Sequence, residues 1–315
     1  MQLKDHFKPV IAMLVLAAAG ITAFHTAPKA HFINVKEPKD IKAFFHYSAD
    51  RIPFVSSHRG GPAKGFPENC IATFENTIQK TWSILECDPR YTKDSAVVLL
   101  HDPTLDRTST GTGKLNEHTL QEVKQLKLKD RQGNVTPYSI PTLDEVLEWA
   151  KNKTIMVLDQ KDIPVEICVK KIQEHKAWAN AIMIVYKLED VKRCYELDNR
   201  IVMEVMVPDK DAAAKLEATG VPWENIVAFV THMQPKDKDI YNYVHSKGAL
   251  CIIGSSRTID KDFTSGNISE ADLPGKYRSL VSDGADIIEA DLGIEAGAAL
   301  QSLMPAKSSK RIFFK

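Results

Sequence analysis

The 315-residue chain lacks any excess of charge: 41 lysines and arginines stand against 41 aspartates and glutamates. That balance excludes nucleic-acid binding driven by overall basicity. It also lacks an apolar run of the ~20 residues needed to cross a bilayer as a helix, so a polytopic membrane protein is excluded. Cysteine is sparse and odd in number: Cys70, Cys87, Cys168, Cys194 and Cys251, with no CxxC pair. Even in an exported protein this is no disulfide framework. Buried thiols are expected, with one bridge left open. There is no P-loop, GxSxG or HExxH, and no GxGxxG follows a strand. P-loop NTP hydrolysis, an α/β-hydrolase and a zincin are therefore set aside. A linker rich in Pro, Gly or Ser is missing too, as are internal repeats, so residues 51–315 read as one domain. What remains is ordinary globular stock, 43% hydrophobic and 26% charged, too apolar for a disordered chain.

The first 30 residues read differently. Lys4 and Lys8 precede an uncharged run, Val10–Phe24, and small residues follow up to Ala30. A charged flank, a short apolar stretch and an A-x-A-like end describe a secretory signal peptide rather than an uncleaved anchor. The expectation is an exported, periplasmic or secreted protein with no stable membrane insertion of its mature chain. Residues 31–50 form an N-terminal extension.

From there the chain alternates short apolar runs with amphipathic segments of helical period. The runs include Ile52–Ser56, Ser83–Asp88, Thr154–Asp159, Ala181–Val185, Arg200–Val205, Asn225–Val230, Ala249–Ile253 and Asp286–Glu289. Strands apolar on both faces, alternating with helices, predict a parallel sheet covered by helices. Eight such units in about 250 residues predict an α/β fold, the (β/α)₈ TIM barrel. A ninth run, Ala96–Leu100, reads as a hairpin-like partner of the second strand. The polar, turn-rich stretch at about 103–140 reads as a small insertion after that strand.

In such a barrel, function sits where strands end. Four polar clusters fall there. His58-Arg59-Gly60-Gly61 follows the first strand and could bind a phosphate, or be a plain surface turn. Glu86 and Asp88 lie two apart on a strand and so share a face. Two buried carboxylates need a partner: Mg²⁺ or Ca²⁺, or a salt bridge to Arg90. His101-Asp102 supplies a second imidazole, for acid–base work or for capping the insertion. Asp159 could complete a three-carboxylate metal site, with Lys161 on its face for a phosphoryl oxygen, unless the two merely pair with each other. Two histidines, two or three carboxylates, an arginine and a lysine fit metal-assisted phosphoryl transfer better than hydride or acyl transfer. A glycosidase would leave both histidines and Arg59 idle.

Taken in order, these motifs resemble the glycerophosphodiester phosphodiesterase family. The chain reads HRG at 58–60, PENC at 67–70, ECD at 86–88, TKDS at 92–95, HD at 101–102, LDRTSTGTG at 105–113 and IPTLDEVL at 140–147. The likeness is dense over about 55–161. It implies a TIM barrel and hydrolysis of a small-molecule glycerophosphodiester to glycerol 3-phosphate and an alcohol, dependent on Ca²⁺ or Mg²⁺. By position it implies His58 and His101 as the acid–base pair and Arg59 and Lys161 as phosphate ligands. Glu86, Asp88 and Asp159 would be the metal ligands. Asp159 stands where the family usually has Glu, and Cys251-Ile252-Ile253-Gly254 where it often has Trp-Thr-Val-Asn. The alternatives are a lipid- or sugar-linked phosphodiester as substrate, or a barrel that binds a phosphate ligand without catalysis.

Overall fold

The computed structural model describes residues 30–315. The expected signal peptide, residues 1–30, lies almost wholly outside the described residues. Eight parallel strands close a barrel: β1 (Phe54–Ser57), β2 (Ser83–Cys87), β5 (Met156–Asp159), β6 (Ala181–Val185), β7 (Met203–Met206), β8 (Ile226–Thr231), β9 (Cys251–Gly254) and β10 (Ile287–Ala290), with β1 between β2 and β10. Helices lie between most of them. This is the expected TIM barrel. Two further short strands, β3 (Pro89–Tyr91) and β4 (Val97–Leu99), form an antiparallel pair outside it.

Alternation along each strand divides the core. On β2, Leu85 and Cys87 pack outward into the helix layer, whereas Ile84 faces the interior. Val157, Ile182, Val227, Ile252 and Ile287 join Ile84 inside the barrel. Glu86 and Asp88 continue that inward face, as their i, i+2 spacing requires. All five cysteines are free and buried, packed as small apolar groups.

One sequence expectation changes. The run around Val97–Leu99 does not pair with β2; it pairs with Pro89–Tyr91, in register Arg90↔Val98. Pro89 has no N–H to give the ladder, so the chain leaves the barrel there. The N-terminal extension, residues 31–50, packs onto the barrel. The helix Pro38–Phe45 buries Ile41, Phe44 and Phe45. These pack with Ile33, Phe54, Phe313 and Phe314 as a plug across the N-terminal end of the barrel. Among the described residues no helix is long and apolar enough to cross a membrane.

The insertion has its own small core of Val98, Leu100, Leu105, Leu115, Val123, Leu128 and Ile140. Its last motif, IPTLDEVL, starts a helix. Thr142 Oγ1 accepts the Glu145 N–H at 3.1 Å, and the Glu145 carboxylate accepts the Thr142 N–H at 2.8 Å. That capping box explains the motif on structural grounds alone.

Candidate active site

A cavity of about 360 Å³ opens at the C-terminal mouth of the barrel. It is lined by His58, Arg59, Glu86, His101, Asp159 and Lys161, six of the seven residues singled out in the sequence. Asp88 lies just behind, fully buried.

The His58–Gly61 segment turns sharply after β1. Arg59, Gly60 and Gly61 all take positive φ, at 53°, 84° and 77°. Gly60 has a second reason to be glycine, since a Cβ there would overlap the Phe74 ring. The turn brings the Arg59 backbone N–H to Glu86 Oε2 at 2.6 Å. It also presents the His58 ring to the cavity. His58 Nδ1 donates to Asp291 Oδ1 at 2.6 Å, and its Nε2 lies 4.0 Å from Glu86 Oε2. Burial works against protonation of this imidazole, but the Asp291 hydrogen bond and the charges of Glu289 and Asp291 outweigh it and raise its pKa. His101 is held alike, with Nδ1 donating to Asp102 Oδ1 at 2.8 Å. Asp102 is fixed in turn by Arg107, at 2.6 and 3.0 Å. Each ring thus has one nitrogen committed to an aspartate and Nε2 left over.

Glu86, Asp88 and Asp159 each offer an oxygen within 4.8 Å of the other two. Burial, then the charges of Asp88, Asp159 and Glu289, push the Glu86 carboxyl well above the carboxylate range. Glu86 Oε1 has no hydrogen-bond partner among the described residues. Three carboxylates so placed call for a cation, and an all-oxygen donor set suits a hard one such as Mg²⁺ or Ca²⁺. Here Lys161 supplies the positive charge, with Nζ 3.0 Å from Asp88 Oδ1 and hydrogen-bonded to Asp159. Burial opposes that ammonium, yet Asp88 and Asp159 raise its pKa. The salt bridge from Arg90 goes elsewhere, to Asp162 at 2.8 Å.

The PENC segment supports the site through Asn69 and Glu68. Asn69 Nδ2 donates to Asp88 Oδ2 at 2.6 Å, and Asn69 Oδ1 accepts the Asp88 N–H at 2.9 Å. Glu68 takes both Arg59 and Arg107. Sequence reasoning missed Tyr186, whose hydroxyl donates to Asp159 Oδ1 at 2.6 Å. His232 also went unnoticed, though it directly follows an apolar strand just as His101 does. Burial first, then Arg257 and His58, lower its pKa to about 4, so it is neutral at physiological pH.

Glu204 was missed as well. It is 1% exposed, lines the cavity, and its Oε2 has no partner among the described residues. Burial, then Glu289 and Asp159, raise its pKa well above 4.5. Above pH 4.5 the unfolded chain ionises this group while the folded one holds it neutral, so its cost to stability grows as pH rises. Glu204→Gln is therefore expected to melt at least about 2 °C above the wild type at pH 7.5, in EDTA. The gap should close near pH 4.5. Equal melting temperatures at both pH values would mean that Glu204 is ionised and compensated in the folded state.

The sequence model of the glycerophosphoryl diester phosphodiesterase family matches residues 58–257. The chain belongs to that family. A glycerophosphoryl diester phosphodiesterase from Parabacteroides distasonis is 38% identical, with a TM-score of 0.87 over 91% of this chain and 99% of that one. A glycerophosphodiester phosphodiesterase from Agrobacterium tumefaciens, 18% identical, shares the fold at a TM-score of 0.62 over 78% of this chain and 99% of that one. A curated glycerophosphodiester phosphodiesterase from Caldanaerobacter subterraneus is 35% identical over 150 residues, which is 44% of this chain. The match spans 61% of that relative's length.

Proposed function

We propose that the protein hydrolyses glycerophosphodiesters to glycerol 3-phosphate and an alcohol. The observation that carries this reading is the meeting, in one cavity, of two aspartate-held imidazoles, a three-carboxylate cluster, Arg59 and Lys161. Glu86, Asp88 and Asp159 would hold Mg²⁺ or Ca²⁺, which when bound supplies Lewis-acid charge at a non-bridging phosphate oxygen. With the cluster neutralised, Lys161 is free to turn from Asp88 and Asp159 to the phosphate. Arg59 joins it in balancing the charge that grows there in the transition state. One imidazole takes a proton at Nε2 from the attacking hydroxyl or water, and the other gives its Nε2 proton to the departing oxygen. Asp291 and Asp102 hold each ring in the tautomer that this requires.

The test is a coupled assay for glycerol 3-phosphate released from glycerophosphocholine, glycerophosphoethanolamine and glycerophosphoinositol. Turnover that stops with EDTA and returns with Mg²⁺ or Ca²⁺ is expected. Full activity after thorough chelation would remove the metal from the proposal, and no release from folded protein would reject the reaction. We also propose export by cleavage of the first ~30 residues. N-terminal sequencing of the chain recovered outside the cytoplasm checks it, and a retained Met1 would refute it.

A further inference from the structure

Beyond His58 the cleft continues. A second cavity of about 300 Å³ borders His58, Arg59 and Asp291, which also line the first, and is otherwise walled largely by the insertion. The carboxylates around it are already engaged. Glu68 accepts from Arg107 at 2.8 and 2.9 Å and from Arg59 at 3.2 Å. Asp130 accepts the backbone N–H groups of Gly65, Gln132 and Asn134. Asp291 is taken by His58. Two of the cations are not so engaged. Among the described residues, Lys129 Nζ has one hydrogen-bond partner, the Asp106 carbonyl at 3.2 Å. Arg131 makes one long approach, Nη2 to Asp291 Oδ2 at 3.5 Å. The wall therefore keeps unspent positive charge and free N–H donors. No Trp, Tyr or Phe is among its lining residues, so it has no aromatic face to hold a quaternary ammonium.

Resting on the diesterase reading above, we propose that this second cavity receives the leaving alcohol, and that Lys129 and Arg131 select alcohols bearing an anionic group over choline or ethanolamine. The placement follows from the first cavity. The phosphoryl group must sit there, beside the carboxylate cluster and Lys161. Among the described residues His58 is the one imidazole that borders both spaces. An alcohol lying in the second cavity therefore leaves past His58. As its P–O bond breaks, the proton on His58 Nε2 passes to the alcohol oxygen. The attacking water or hydroxyl forms the new P–O bond and gives its proton to His101. Donor-rich arginine and lysine side chains in its wall would meet a carboxylate or phosphate carried by the alcohol.

The test compares kcat/KM for glycerophosphoinositol 4-phosphate, glycerophosphoinositol and glycerophosphocholine, in the wild type and in a Lys129→Gln/Arg131→Gln variant of the full mature chain. The phosphorylated inositol diester is expected to exceed the choline diester by about tenfold in the wild type. The variant should lose most of that ratio, and salt should shrink it in the wild type. Arg131 lies on a turn and Lys129 in the β-bridge to Val135 that flanks it, and a thermal melt verifies that the variant is folded. A wild type that prefers choline, or treats the diesters alike, overturns the assignment. So does a ratio that survives in the variant. In those cases the diesterase reading stands. If no diester is turned over, that reading falls and takes the subsite with it.

Discussion

His58→Ala and His101→Ala are each expected to lower kcat by about 10²-fold or more, with little change in melting temperature. Each imidazole is a candidate because of what holds it. An Asp291 oxygen 2.6 Å from His58 Nδ1 and an Asp102 oxygen 2.8 Å from His101 Nδ1 orient the rings, which line the cavity, and leave Nε2 uncommitted. Neither side chain belongs to the apolar core, being 23% and 31% exposed, so truncation opens no large void. Two imidazoles serving one proton-transfer cycle act as a unit. The double variant is thus expected to lose little more than the worse single one. Asp291→Asn and Asp102→Asn should fall between the alanine variants and the wild type, because the ring stays but its tautomer is no longer enforced. Steady-state rates on one glycerophosphodiester, with melting curves alongside, decide the matter. A folded alanine variant within threefold of the wild type would remove that histidine from the chemistry.

Why the sequence told so much about this half of the site, and less about the other, comes down to period and distance. Glu86 and Asp88 could be placed on one inward face because strand geometry makes i and i+2 coplanar whatever the tertiary fold. His58 and Asp159 close barrel strands, and closing a barrel collects strand ends at one mouth, whereas His101 follows β4 outside the barrel and is carried there by the β3–β4 hairpin, with the Leu100 N–H on the Asp88 carbonyl at 2.9 Å. The meeting of His58 and Asp159 therefore followed from a count of units; that of His101 did not. The partners did not follow. Asp291 lies 233 positions from the histidine that it orients. Tyr186 reaches Asp159 only because β5 and β6 are neighbours. Glu204 looked like one polar residue in an apolar run, and nothing local marks it as facing Glu289 across the barrel. Phe44 and Phe45 carried no signal of the plug that they form with Phe313 and Phe314, because that contact joins the two ends of the chain. Lys161 is the instructive case. The spacing that put it beside Asp159 was right, and it left open whether the ammonium faces a phosphate or the carboxylates. Here it sits on the carboxylates.

That arrangement leads to the other large effect. Glu86→Gln and Asp88→Asn are each expected to cut kcat/KM by about 10³-fold, the several kcal/mol that a divalent cation contributes to phosphoryl transfer. Both changes keep shape and most hydrogen bonds. The amide oxygen introduced by Glu86→Gln can still accept the Arg59 N–H, and the amide introduced by Asp88→Asn can still meet Asn69, so the loss reports charge rather than collapse. A second readout separates the two. In the wild type, Mg²⁺ or Ca²⁺ at a hundred times its dissociation constant should stabilise the fold by about 2.7 kcal/mol, and the variants should lose that gain. Without metal the sign reverses for Glu86→Gln. Glu86 is buried against Asp88, Asp159 and Glu289, and its pKa is raised well above the carboxylate range, so the folded chain bears the cost of an acid held out of water among like charges. Replacing it by an amide removes that cost, and the metal-free variant should melt no lower than the metal-free wild type. A structural role alone predicts the opposite pattern, with lower melting in EDTA and an undiminished response to metal. Melting curves with and without the cation therefore test whether these carboxylates are kept for a metal, independently of any assay of turnover.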